Sequence, residues 1–217
     1  MNLIFDYDGT LNNCLVTYRP AFNKAYQWLV DHGYAAPHQY TDKEISYWLG
    51  FTGTQMWETF QPDLPFEIRE FCRNMIGEET DRQIRSGNAQ LFPNTENVLT
   101  ELKNQGFTIL FLSNCRISYL ESHRQHFHLE KYIDFFYCSE QFGGIPKYEI
   151  FRKFRNQHSG EYIMIGDRFH DIETAVQNHL KSVGCLYGYG SAEELSKADI
   201  LVNDITEIPE AIHKLTK

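Results

Sequence analysis

The chain has 217 residues, a hydrophobic fraction of 42% and 15% aromatics, enough apolar material for one substantial core, with or without a smaller lobe, and too much for a disordered tail. Its formal net charge of −9 at pH 7 opposes binding to nucleic-acid backbones or anionic membranes, and no local basic patch reverses that, so a small-molecule substrate is expected. Met1 to Asp6 lacks the basic region and long apolar run of a signal peptide or membrane span, and the five cysteines (Cys14, Cys72, Cys115, Cys138, Cys185) contain no Cys-x-x-Cys pair. Reduced thiols and a cytoplasmic protein are expected.

In chain order, Leu3-Ile4-Phe5 is a short apolar run of the kind that forms a strand buried on both faces. From about Cys14 to Gly87 helical spacing takes over: Phe22, Ala25, Tyr26, Leu29 and Val30 mark one amphipathic helix, and Ile68, Phe71, Cys72, Met75 and Ile76 a second. Trp28, Trp48 and Trp57 are expected in the core of this lobe. Asn94 is the expected cap of a helix carrying Val98, Leu99 and Leu102 that stops at Gly106. Strand runs then recur at Ile109-Leu110-Phe111-Leu112, Phe135-Phe136-Tyr137, Ile163-Met164-Ile165 and Ile200-Leu201-Val202, alternating with helical patterns. The expected architecture is an α/β doubly wound parallel sheet, residues 1–13 and 88–217, into which a small helical domain, residues 14–87, is inserted.

Polar clusters follow the strand runs: Asp6-Tyr7-Asp8-Gly9-Thr10, Ser113-Asn114, and Gly166-Asp167-Arg168-Phe169-His170-Asp171, with Pro146-Lys147 in a loop. In an open parallel sheet these converge at the carboxyl edge of the strands. Asp6, Asp8 and Asp167 are hard oxygen ligands suited to Mg²⁺, which would also relieve their mutual repulsion. Lys147 adds a fixed positive charge and Ser113 a hydroxyl, a set able to stabilise the charge-rich centre of phosphoryl transfer. One carboxylate beside the metal can be the nucleophile, and the aspartate two residues on can protonate the leaving oxygen and later deprotonate water.

The order Asp6-x-Asp8-Gly9-Thr10, Phe111-Leu112-Ser113-Asn114, Lys147 and Gly166-Asp167-x-x-x-Asp171 resembles the four motifs of the haloacid dehalogenase-like hydrolase superfamily. The helical insert after the first motif is similar to the cap of its phosphoglycolate-phosphatase-like subfamily. The resemblance implies a Rossmann-like core and a phosphatase acting on a small phosphorylated metabolite. It implies that Asp6 is the nucleophile and Asp8 the general acid/base, with Mg²⁺ held by Asp6, the Asp8 carbonyl and Asp167. Ser113 and Lys147 would grip the phosphoryl group, with Asn114 and the Gly9 amide in support. Asp171 would serve the metal shell or orient the lysine, and equally suits a helix cap. Thr10 is expected to be structural. A sugar-phosphate mutase of the same fold, or a phospho-aspartate signalling module without turnover, are the alternatives. Cys14, Arg168 and His170 depart from the residues common at their positions. His123, His126 and His128 are expected on a solvated helix end, Cys115 in packing, and Tyr18, Arg19, Thr52 and Gln55 are candidates for contacting substrate from the insert.

Overall fold

The computed structural model describes residues 1–217. Its strands β1 (Asn2–Phe5), β2 (Thr108–Ser113), β3 (Phe135–Cys138), β4 (Tyr162–Gly166), β5 (Lys181–Cys185) and β6 (Ile200–Val202) form one parallel sheet in the order β3-β2-β1-β4-β5-β6. The central runs Leu3–Phe5, Ile109–Leu112 and Ile163–Ile165 are apolar because both faces are covered, whereas Phe135 in β3 and Leu201 in β6, on the two edge strands, are exposed. Leu3, Phe5, Ile109, Phe111, Ile163 and Ile165 pack on one side under α5 (Thr95–Asn104), α6 (Ile117–Phe127) and α9 (Ile208–Leu215). The intervening Ile4, Leu110, Leu112 and Met164 point to the other side, under α7 (Lys147–Phe154) and α8 (Phe169–Asn178). Strand order reverses between β1 and β4, so the carboxyl ends of those two strands flank the crevice in which such sheets bind ligands.

Between β1 and β2 the chain forms α1 (Leu15–Asp31), α2 (Asp42–Ser46), α3 (Gly53–Phe60) and α4 (Phe66–Arg85), with no strand among them. These helices bury their own apolar cluster, including Phe22, Leu29, Ile45, Trp57, Cys72 and Ile76, with Trp28 and Trp48 half-buried against it. The chain leaves and re-enters the sheet region side by side, tied by Phe92 N–H to Leu11 O and Asn13 N–H to Gln90 O, both 2.9 Å. No helix is long and apolar enough to cross a membrane.

Several expectations need correction. β5, Lys-Ser-Val-Gly-Cys, has too little apolar character to read as a strand, and it is held by its neighbours and by Asp199, whose carboxylate accepts from the Ser182 N–H at 2.7 Å. Asn94 stands at the start of α5, but in a left-handed conformation (φ 68°) and without a side-chain capping bond. The buried face of α4 is rotated from the expected stripe: Phe71 is exposed, and burial runs through Cys72, Ile76, Thr80 and Ile84.

His126 and His128 are exposed, whereas His123 is fully buried on α6 and is hydrogen-bonded to the Tyr7 hydroxyl at 2.9 Å. Burial lowers its pKa from 6.5 to about 3. The unfolded chain therefore takes up a proton before the native state does, and the contribution of neutral His123 is full above pH 6.5 and lost as pH falls. Wild type should lose about 2 kcal/mol more between pH 7 and pH 5 than His123→Gln, as read from urea melts. Equal losses would show that His123 is not held neutral in the native state.

Candidate active site

The carboxyl ends of β1 and β4 deliver the first and fourth polar clusters to adjacent positions, because Phe5 pairs with Ile165 and the Asp6 N–H donates to the Ile165 carbonyl at 2.9 Å. Asp6 and Asp167 are 2% and 0% exposed. Asp171 reaches the same place from the first turn of α8, and ligand oxygens of Asp6, Asp167 and Asp171 lie within 4.8 Å of one another. Lys147, the first residue of α7, points its ammonium into the group, 2.6 Å from Asp6 Oδ1 and 2.7 Å from Asp171 Oδ1. The other oxygen of Asp171 accepts from the Arg168 N–H at 3.0 Å, so one carboxylate both caps α8 and holds the lysine. Ser113 is buried at the end of β2, the strand that pairs with β1 on its other side.

Three carboxylates face one ammonium here, an excess of two negative charges in a buried site. The electrostatics follow. Burial first, and then the Asp171 charge, raise the Asp6 carboxyl well above its usual range against the pull of Lys147. Burial and the same neighbour raise Asp167 to about 7. Burial works against the Lys147 charge, but Asp171 and Asp6 outweigh it and hold the ammonium above the ordinary lysine value. Asp6 Oδ2 is buried with no hydrogen-bond partner. A hard divalent cation bound by carboxylate oxygens answers both the excess charge and the unpartnered oxygen, so the residues present fit Mg²⁺.

Gly9 makes room for this packing. Its φ of +89° disfavours other residues, and a Cβ there would lie 2.1 Å from Asp167 Oδ2. Asp167 is further fixed by the Tyr189 N–H at 2.7 Å and the Thr10 hydroxyl at 3.2 Å. Asp8 points away from the cluster: Asn12 Nδ2 at 2.8 Å and the Tyr119 hydroxyl at 2.7 Å both donate to its Oδ1. Burial raises the Asp8 pKa, and these two bonds partly restrain it.

Beside Asp8 a cavity of about 180 Å³ opens between the sheet edge and the helical insert. Asp8, Asn114 and Arg116 line it from below, and Trp48, Phe51 and Arg73 from above. Of the four insert candidates, Tyr18 lines this cavity. Arg19 is instead paired with Asp42 at 3.0 Å, and Thr52 and Gln55 cap α3 through each other. Asn114 Nδ2 donates to the Gly50 carbonyl of the insert at 3.0 Å. Tyr119, Asn12 and Tyr189 escaped the sequence reading. Each acts through a single contact with an aspartate, and no local pattern marks such a residue.

Comparison with known proteins is consistent along the whole chain. A family model for haloacid dehalogenase-like hydrolases matches residues 3–185. A phosphoglycolate phosphatase of Vibrio parahaemolyticus is 25% identical over 97% of this chain and 95% of its own. The crystal structure of a predicted phosphoglycolate phosphatase from Haemophilus somnus superposes with a TM-score of 0.80 at 19% identity, covering 97% of each chain. That of CbbY from Rhodobacter sphaeroides in complex with phosphate does so with a TM-score of 0.77 at 18% identity, covering 95% of each. At such identities the two structural likenesses speak for the fold.

Proposed function

The chain belongs to the haloacid dehalogenase-like hydrolase family, and from that premise we propose that it is a Mg²⁺-dependent phosphatase hydrolysing a small phosphate monoester through a phosphoryl intermediate on Asp6. The observation that carries this reading is Asp6 itself, with Oδ1 held by Lys147 and Oδ2 buried and unpartnered among further carboxylates. Asp6, Asp167 and Asp171 would hold the ion through their carboxylates and Asp8 through its carbonyl. Bound Mg²⁺ offsets the negative charge of the site and of the phosphoryl oxygens.

Asp6 then attacks phosphorus, and the bond from phosphorus to the ester oxygen breaks. Asp8 gives that leaving oxygen its proton. Asn12 Nδ2 and the Tyr119 hydroxyl both occupy Oδ1, so Oδ2 is assigned the mobile proton, and burial favours the protonated form needed for this step. Asp8 next removes a proton from water, whose oxygen attacks phosphorus and releases phosphate with Asp6 regenerated. Lys147 and Ser113 hold the phosphoryl oxygens, and Asp171 orients Lys147. Residues 14–87 act as a cap over a core of 1–13 and 88–217, and the cavity between them takes the leaving group and excludes water during the first transfer. Five free cysteines suit a reducing cytoplasm.

The reading is tested by phosphate release from phosphoglycolate, a sugar phosphate, a nucleoside monophosphate and pyrophosphate, with and without Mg²⁺. Mg²⁺-dependent release from at least one is expected. Isomerised sugar phosphate without free phosphate would point to a mutase, and stable phosphoprotein without turnover to a signalling module. Independently of turnover, Mg²⁺ at a hundred times its Kd should stabilise the protein by about 2.7 kcal/mol in thermal melts, and Asp167→Asn should lose most of that gain. A melt unmoved by Mg²⁺ or by chelator would contradict the metal assignment.

A further inference from the structure

Arg168 lies between two aspartates of the site, yet its side chain is turned away from the carboxylate cluster. It is 2% exposed, among the largest side chains the fold buries, and a buried guanidinium must have its charge and donors answered. Nε donates to Glu194 Oε2 at 3.1 Å. Nη1 donates to the carbonyls of Tyr47, at 3.2 Å, and of Leu49. The guanidinium carbon stands 5.2 Å from the centre of the Phe51 ring.

All of these partners except Glu194 belong to one short segment, residues 47–51, between α2 and α3 of the insert. Two further features seat that segment. Gly50 has φ +86°, and a Cβ there would lie 2.9 Å from Arg168 Cγ, so only glycine lets the backbone approach the arginine stem. Asn114, beside the phosphate-binding Ser113, takes the Gly50 carbonyl at 3.0 Å. Phe51 also packs edge-on to the rings of Phe169 and His170, with centroids 5.9 and 5.6 Å away. The carbonyls of residues 47, 49 and 50 are thus occupied by side chains from the sheet edge. Trp48, Leu49, Gly50 and Phe51 are at the same time a wall of the cavity beside Asp8.

We propose that Arg168 is a positioning residue for the reaction, fixing residues 47–51 as the wall of the substrate cavity and tying that wall to the junction of β4 and α8 that carries Asp167 and Asp171. The proposal rests on the reading of this cavity as the place of the leaving group. Arginine is required because a lysine has no planar face for Phe51 and cannot reach a carboxylate and two carbonyls in a fixed fork. The side chain touches no reacting atom. Its effect is therefore confined to ligands that reach the wall, and a ligand filling only the phosphate position is indifferent to it.

The test uses the full chain as Arg168→Lys and, so that arginine also stays in place in one variant, Glu194→Gln. Backbone hydrogen exchange is read at Leu49 and Phe51, whose N–H groups donate to the carbonyls of Ser46, at the end of α2, and of Trp48. Exchange there should quicken about tenfold in Arg168→Lys, and less in Glu194→Gln, with the sheet unchanged. For p-nitrophenyl phosphate, kcat/KM should fall about tenfold, mostly through KM, while the inhibition constant of inorganic phosphate stays within about twofold. Unchanged exchange in both variants would overturn the proposal, as would a phosphate inhibition constant rising in step with KM, which would place the effect at Asp167 and Asp171 alone. The exchange result needs no turnover, so a wild type that hydrolyses no ester counts against the phosphatase reading and leaves the contact between Arg168 and the segment decided by exchange.

Discussion

Asp6→Asn should lower phosphate release at least about 10⁴-fold and leave the protein as stable as wild type or more so. The two effects have separate causes. Asparagine keeps the shape of the side chain but has no anionic oxygen to bond phosphorus, so the first step is lost. Stability behaves differently because the native fold holds the Asp6 charge at a disadvantage: burial and Asp171 raise its pKa, and Lys147 only partly compensates. An acid whose folded pKa lies above its unfolded value contributes stability at low pH that is lost as pH rises through the folded value. Removing the charge removes that loss, and Lys147 keeps Asp171 as a partner. The stability gain over wild type, measured in metal-free buffer by urea melts, should therefore be larger at pH 8 than at pH 5. A variant with near-wild-type turnover, or one that is unfolded, would contradict this account of Asp6.

Lys147→Ala should abolish turnover and, unlike Asp6→Asn, should destabilise the metal-free protein by about 3–5 kcal/mol at pH 8. Lys147 is 3% exposed, and its ammonium is the one cation within bonding distance of both Asp6 and Asp171. Its loss leaves three buried carboxylates facing one another, which is far costlier than losing an exposed ion pair. Lys147 pulls the raised Asp6 and Asp167 carboxyls downward, so its loss moves those two higher still, and the deficit should shrink as pH falls and protons replace the missing charge. Asp6→Asn should gain more stability in the Lys147→Ala background than in wild type, a coupling expected of groups in direct contact. The same change in both backgrounds would mean that the lysine is held by packing and that the ion pairs contribute little.

Legibility in the sequence followed how local each signal was. Five strands showed as apolar runs, and in the three central ones the cause is cover on both faces, which needs such residues at successive positions, as in Leu3-Ile4-Phe5. β5 did not, since a strand with Ser182 and Gly184 is held by pairing to β4 and β6 and by Asp199, none of which is local. Asp6, Lys147, Asp167 and Asp171 converge because each lies at a strand end or helix start on one edge, and the strand-end clusters together with the resemblance to the four motifs pointed to them. The supporting groups stayed hidden. Tyr119 reaches Asp8 from a helix 111 residues along the chain, and His123, in a polar stretch that reads as solvent-facing, is turned inward to Tyr7. The bond from Asn114 to the Gly50 carbonyl was hidden as well, since only the meeting of the sheet edge and the insert determines it.

The central claim is that phosphate passes through Asp6, and it is tested most directly by trapping. The protein would be mixed with Mg²⁺ and the best ester, quenched in acid within the first turnover, reduced with borohydride, and sequenced by mass spectrometry around residue 6. A phosphorylated aspartate is reduced to homoserine, so the account predicts homoserine at position 6, dependent on both ester and Mg²⁺ and absent from Asp6→Asn. Label at Asp8 or another side chain, or release of phosphate with no trapped residue at any time, would contradict it.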